Sequence, residues 1–350
     1  MNTSVTTIGY IAGKEVNLIS ITNNRGCQIQ ITNFGGIVHS WSTPDKYNIF
    51  ADILLGCADL NDYQKRHPYF GAIIGRYANR IANGLFELNN TIFRLEKNLP
   101  PHHLHGGLHG FDRKLWEFDL HSHPEKCELI LKTQSAHMEE GYPGLLDLKV
   151  IYTYNNDNEL IMEYFATTDQ DTHINLTNHC YFNLSGDQSK NILNHEVKIS
   201  AQFYTESDDE LIPTGKMASV KNTSLDFLQF RSISDRNFKD DDLLKVTNGY
   251  DHNYVITPHD FNSPIAEVLH QHSGRRLQVF TDQPAIQFYS GNWLDGVEGK
   301  IGKYAAYAGF CLETQHFPDS PNHPEFPSTR IKKGQNFYSK TIYKVDVYTP

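Results

Sequence analysis

The sequence predicts an all-β fold of antiparallel neighbours with at most a few short helices, and three observations carry that prediction. Apolar and polar residues alternate with a period of two in one segment after another. Short turns rich in Asn join the alternating segments. No stretch keeps a helical apolar period for longer than about three turns.

In chain order, residues 16–22 and 27–32 flank the turn Asn23-Asn24-Arg25-Gly26, and 84–88 and 91–96 flank Asn89-Asn90, whose side chains tolerate the positive φ of a hairpin turn. In 146–154, Leu146, Leu148, Val150, Tyr152 and Tyr154 alternate with Asp147, Lys149, Ile151 and Thr153, which makes one face apolar and the other mixed. Asn155-Asn156-Asp157-Asn158 then turns the chain into a second β-type run at 159–168. At the C-terminus, 336–349 places Phe337, Ser339, Thr341, Tyr343, Val345 and Val347 on one face. Helix is expected only at 59–65 and 240–246, both short and polar. In 316–330, HFPDSPNHPEFPSTR, Pro318, Pro321, Pro324 and Pro327 recur at every third position, which predicts an extended polyproline-like loop covering a surface.

A length of 350 residues suggests two domains at roughly 150 residues each. No Ser/Gly/Pro linker divides the chain and no repeat recurs at a propeller or solenoid period, so residues 1–350 are expected to form a single domain.

Composition narrows the function. No apolar run is long enough to span a bilayer. The net charge of −10 is spread along the chain, densest in ESDDE at 206–210, while the basic residues gather only in pairs such as Arg275-Arg276 and Lys332-Lys333. A nucleic-acid partner needs a clustered basic face and is excluded on that ground. Cys27, Cys57, Cys127, Cys180 and Cys311 are odd in number and form no CxxC pair, which argues against a disulfide framework and a structural zinc site. The start, MNTSVTTIGYIAGKEV, lacks the basic and apolar regions of a secretory signal, so a cytoplasmic location is expected. Phosphate-loop, GxGxxG, HExxH and GxSxG signatures are missing.

Polar residues interrupt apolar strand patterns at a few places. Asn79-Arg80 lies in YFGAIIGRYANRIANG (69–84), His105 in HHLHGG (102–107), and His179 in NLTNHCYFNLSG (175–186). Asp251-His252-Asn253 follow in GYDHNYVI (249–256), Gln287 in AIQFYSGNW (285–293) and Glu313 in GFCLETQHFP (309–318). An acid flanked by Phe310-Cys311-Leu312 is expected to be buried, and burial raises a carboxyl's pKa towards a range useful for proton transfer. Simpler readings stand beside these: His179 as a hydrogen-bonded core residue, and Arg80 paired with an internal acid such as Glu313. A metal held by His102 with His105, or His103 with His105, is a further reading, although no carboxylate or cysteine stands among them.

Together these segments resemble the aldose 1-epimerase, or galactose mutarotase, family. The resemblance rests on NFGG (33–36), YFGAIIGRYANRIANG, LHGG (104–107) with GFDRKLW (110–116), EGYPGLLDLKVIYTY (140–154), NLTNHCYFNLSG, IPTG (212–215), GYDHNY (249–254), QFYSGNWLDG (287–296) and GFCLETQHFPDSPNHPEFP (309–327). It implies a large antiparallel β-sandwich of the galactose mutarotase-like supersandwich type. It also implies interconversion of the α and β anomers of free hexoses without cofactor or metal, by a monomer or homodimer. By the same resemblance Glu313 is the general base on the anomeric hydroxyl and His179 the general acid on the ring oxygen. Asn79, Arg80 and His105 bind near the reacting oxygens, and Asp251, Gln287 and Tyr181 hold ring hydroxyls. An acid and a base acting on neighbouring oxygens of one sugar meet the needs of ring opening without a metal.

Two departures from the family pattern bear on substrate preference: His102-His103 stand where an Asn-containing turn is common, and His173 where proline is frequent. Cys180 and Cys311 read as buried packing residues. The competing functions are a hexose-6-phosphate 1-epimerase, which needs extra cations at the phosphate, a non-catalytic sugar-binding module, and a metal-dependent all-β enzyme.

Overall fold

The computed structural model describes residues 1–236, 238–257 and 260–348. The chain is built from three large antiparallel sheets. A five-stranded sheet takes the N-terminal strands Asn2–Ile11, Lys14–Thr22, Gln28–Thr32, Val38–Pro44 and Phe50–Asp52 in chain order. A nine-stranded sheet runs Glu117–Ser122, Lys126–Ser135, Leu146–Asn155, Glu159–Thr168, Phe337–Val347, Arg275–Thr281, Ala266–Leu269, Glu196–Ile199 and Arg231–Ser232, so the C-terminal strand lies at its centre. A second five-stranded sheet orders Pro213–Ser219, Phe203–Ser207, Asp251–Val255, Ala285–Tyr289 and Cys311–Gln315.

One apolar core joins the three sheets: Ile19, Ile29 and Ile31 from the first, Leu129, Val150 and Tyr343 from the second, and Tyr254, Phe288 and Leu312 from the third. The expected hairpins form with the expected faces. Leu85 pairs with Arg94, Leu18 with Thr32, and Leu146 with Thr168. In Phe337–Val347, Ser339, Thr341, Tyr343 and Val345 are buried in alternation as the pattern required, while Thr349 lies outside the described residues. Among the described residues no helix is long and apolar enough to cross a membrane.

The helix expected at 59–65 forms as Leu60–Gln64, with the Asp59 side chain accepting from the Asp62 N–H. Residues 240–246 form turns, not the expected helix. There the Asp241 carboxylate accepts from the Leu243 N–H and the Ser224 hydroxyl, a local bond that competes with helix propagation. The Pro-rich segment 316–330 also departs from the continuous extended loop expected of it. Asp319 adopts a left-handed φ of 54° and is followed by the short 3-10 turn Ser320–Asn322. The Asp319 carboxylate accepts from the Ala82 N–H, and Phe317 and Phe326 pack edge to face at 5.0 Å, so side-chain anchoring overrides the proline spacing.

Two buried arginines tie the connections together. The Arg76 guanidinium donates to the carbonyls of Ser135, Pro143 and Gly144, and that of Arg275 to the carbonyls of Thr43, Ile49, Leu184 and Ser185. A buried cation is tolerable when carbonyl oxygens take most of its donors in this way.

Candidate active site

Strand register assembles one wall of the site. Ala285–Tyr289 lies between Asp251–Val255 and Cys311–Gln315, with Asn253 opposite Gln287 and Gln287 opposite Glu313. The next row is Asp251, Tyr289 and Cys311. The alternate residues Phe288 and Leu312 turn into the common core, so Ala285–Tyr289 and Cys311–Gln315 pack on both faces, with Asn253, Gln287 and Glu313 on the face turned away from that core.

Two shorter pairings bring in the other wall. Leu104 pairs with Arg80, and the backbone continues the exchange: the Asn79 N–H donates to His105 Nδ1 and the His105 N–H to the Asn79 carbonyl, both at 3.1 Å. His179 follows the pairing of Thr177–Asn178 with Ile73–Ile74, and its carbonyl accepts from the Gly71 N–H at 2.9 Å. Gly71 has φ +67°, and a Cβ there would lie 2.3 Å from the Val38 carbonyl oxygen, so only glycine permits this seat. The asparagines around His179 serve the backbone: Asn175 donates to the Ala78 carbonyl and Asn178 to that of Gly71.

At the centre, His179 Nε2 stands 3.6 Å from Glu313 Oε1. Candidate ligating atoms of His105, His179 and Glu313 all lie within 4.8 Å of one another. Gln287 Nε2 donates to Asp251 Oδ1 at 2.6 Å, and Arg80 Nη2 lies 3.7 Å from Asp251 Oδ2. The carboxylate beside Arg80 is therefore Asp251 and not Glu313, which corrects the simple pairing considered from the sequence. Tyr181 stacks on the His179 imidazole at 4.9 Å and Tyr69 does so at 5.9 Å. Thr205, Ser207, Leu211, Pro213 and Pro318 line the adjoining cleft with Asn79, Arg80, Asp251, Asn253 and Gln287. Roomier grooves of about 710 and 830 Å³ lie on the outer face of the large sheet and beside Phe317 and Phe326, away from this acid and base.

Burial dominates the electrostatics. It holds the His179 imidazolium down to about 3, and burial followed by the charge of Asp251 raises the Glu313 carboxyl well above its ordinary range. His105 is held well below its usual value by burial and then by His179 and Arg80. Among the described residues, four buried polar atoms here have no hydrogen-bond partner: Glu313 Oε2, Gln287 Oε1, Asn253 Oδ1 and Arg80 Nε. Orphaned buried groups are costly, and a cluster of them marks where a ligand's own groups belong.

The histidine turn does not gather a metal as one reading of the sequence allowed. His103 is engaged by the Glu96 carbonyl and the Tyr142 hydroxyl. His102 Nδ1 accepts from the Asn83 N–H, and its Nε2 faces Glu210 at 3.3 Å. His105 accepts a backbone N–H at Nδ1, so the neutral ring carries its hydrogen on Nε2, the nitrogen that a metal would need bare. His173 contacts Thr329 and Phe86.

The structure thus brings together Asn79, Arg80, His105, His179, Asp251, Gln287 and Glu313, with Tyr181 stacked against His179. Asn253, Tyr69 and Cys311 belong to the same cluster; on sequence alone Asn253 is named only beside Asp251 and His252 without a role, Cys311 reads as packing, and Tyr69 is not singled out. Asn253 and Cys311 had a signal, a two-residue offset from Asp251 and Glu313 on one strand face. Tyr69 had none.

The sequence profile described as Aldose 1-epimerase matches residues 17–344. The chain belongs to the aldose 1-epimerase family. Among similar family members, a galactose mutarotase of Homo sapiens is 42% identical over 323 residues, covering 91% of each chain. An aldose 1-epimerase of Haemophilus influenzae is 36% identical over 97% of this chain and 98% of its own. The fold agrees with solved members: a galactose 1-epimerase from Lactobacillus acidophilus superposes with a TM-score of 0.88 at 26% identity, covering 99% of this chain and 98% of that one. An aldose epimerase homologue from C. elegans superposes at 0.86 with 29% identity, covering 95% and 100%. The large antiparallel sandwich expected from the family resemblance is the architecture found.

Proposed function

We propose that this protein is a mutarotase, an isomerase that interconverts the α and β anomers of free aldohexoses such as galactose and glucose. The observation that carries the reading is the row Asn253, Gln287 and Glu313, whose unpartnered acceptor oxygens call for a ligand rich in hydroxyl donors, set beside the His179–Glu313 pair.

The proton count fits ring opening. Glu313 takes the proton of the anomeric hydroxyl, and the freed electron pair forms the carbonyl at C1. The C1–ring oxygen bond breaks, and that oxygen takes the proton from His179 Nε2. The pair begins with its one proton on His179 and ends with it on Glu313, the arrangement that burial favours. Rotation about C1–C2 and the reverse transfers give the other anomer. The cycle is redox-neutral and returns every proton, so its chemistry calls for no co-reactant. The Nε2–H of His105, with Asn79 and Arg80, donates towards the reacting oxygens. Asp251 and Gln287 hold ring hydroxyls, and Tyr181, stacked on His179, keeps the imidazole plane in place.

The cleft supports an unphosphorylated sugar: among its described lining residues the arginine, Arg80, already faces Asp251, and Thr205, Ser207, Leu211, Pro213 and Pro318 are uncharged. Five free, buried cysteines support a cytoplasmic setting. A coupled dehydrogenase assay on fresh α-D-glucose, run beside its 6-phosphate, tests the reading. Faster supply of the β anomer from glucose is expected. Acceleration with the phosphate alone would replace the reading by a hexose-6-phosphate 1-epimerase.

A further inference from the structure

Cys311 stands two residues before Glu313 on the same face of one strand, in the row with Asp251 and Tyr289. Its Sγ lies 3.4 Å from His179 Nδ1. At first sight this is a thiolate–imidazolium pair of the kind that arms a nucleophilic cysteine. The surroundings oppose that: the thiol is fully buried, and burial, Glu313 and Cys180 all push its pKa up, so the sulfur stays protonated and neutral.

The two nitrogens of His179 therefore face different groups, Nδ1 the sulfur and Nε2 the Glu313 carboxyl. Suppose the thiol donated to Nδ1. The neutral ring would then carry its hydrogen on Nε2, and on ring closure the proton held by the former ring oxygen would have no basic nitrogen to return to. With the hydrogen on Nδ1, the Nε2 lone pair faces Glu313, and one proton can pass from Nε2 to the ring oxygen and back. We propose that Cys311 is a positioning residue, its sulfur accepting the Nδ1–H of His179 and so fixing Nε2 as the nitrogen that exchanges a proton during ring opening.

A neutral sulfur is a weak acceptor. A carboxylate at this place would orient the ring too, but it would also stabilise the imidazolium and blunt it as an acid. The thiol orients without holding the charge, which explains a sulfur where the proposed chemistry has no use for a nucleophile. This role rests on the mutarotase reading above, but its first readout does not.

The test is nitrogen-15 NMR of histidine-labelled intact protein, with the His179 signals assigned by their loss in His179→Asn, beside steady-state kinetics on galactose. The wild type is expected to carry hydrogen on Nδ1 of His179. Cys311→Ser, which keeps an acceptor, should preserve that tautomer and most of kcat. Cys311→Ala should give mixed tautomers and lower kcat on the order of tenfold with KM within about twofold, well short of the ~10²–10⁴ that a general acid supplies. A wild-type His179 with hydrogen on Nε2, or an alanine variant with unchanged tautomer and kcat, overturns the proposal. If the wild type interconverts no anomers while the Nδ1–H tautomer is present, it is the mutarotase reading that fails.

Discussion

His179 Nε2 and Glu313 Oε1 stand 3.6 Å apart in a pocket that desolvates both, so each is pushed towards its uncharged form. A lowered imidazole and a raised carboxyl leave one proton for the two groups across a wide span of pH, and behaviour of this kind belongs to the pair. The reaction moves that proton between them without changing the count.

The pH–rate profile follows from the two directions. A second proton reaches His179 only as pH falls towards about 3, and the shared proton leaves only as pH rises through the raised value of Glu313. We expect kcat/KM for galactose to be flat through neutral pH, with an acid limb near pH 3 and a basic limb well above the ordinary carboxylate range. A profile that halves between pH 6 and 7, as an unperturbed imidazole would give, contradicts the assignment.

Asp251 raises Glu313 by its charge and anchors both Gln287 and Arg80. Asp251→Asn should therefore move the basic limb to lower pH and raise KM on the order of tenfold, an energy of about 1.4 kcal/mol. Measuring kcat and KM across the pH range separates the two effects, and a basic limb that stays put removes Asp251 from the electrostatics of the pair.

The tautomer of His105 argues against metal chemistry, because Nδ1 already receives the Asn79 N–H. Exhaustive chelation should leave the anomerisation rate unchanged. Activity lost on chelation and restored by an added divalent ion would favour the metal-dependent reading instead.

Arg76 satisfies the carbonyls of Ser135, Pro143 and Gly144 from a buried position. Arg76→Met would leave those oxygens without donors, each at a cost of ~1–3 kcal/mol, so a loss of about 3 kcal/mol or more is expected in urea unfolding. A change below 0.5 kcal/mol, the usual range for surface substitutions, would show that water replaces the guanidinium.

What could be read from the sequence depended on how each segment is buried. Leu146–Asn155 is apolar towards the core and mixed on its other face, so its alternation was visible. Cys311–Gln315 is buried on both faces, so no apolar–polar alternation marks its site face, and Cys311, despite its two-residue offset from Glu313, passed for packing. At 240–246 the competing bond of the Asp241 side chain, and at 316–330 the anchoring of Asp319, override the local pattern. The meeting of Arg80 with Asp251 joins distant segments, and no local period encodes it.

The central claim is that His179 and Glu313 share the proton that opens the sugar ring, and polarimetry of freshly dissolved galactose tests it most directly. The wild type should speed the approach to the equilibrium rotation, while Glu313→Gln and His179→Asn should each lose about 10²–10⁴-fold in kcat. If all three proteins match the uncatalysed rate, or if both variants match the wild type, the account is wrong.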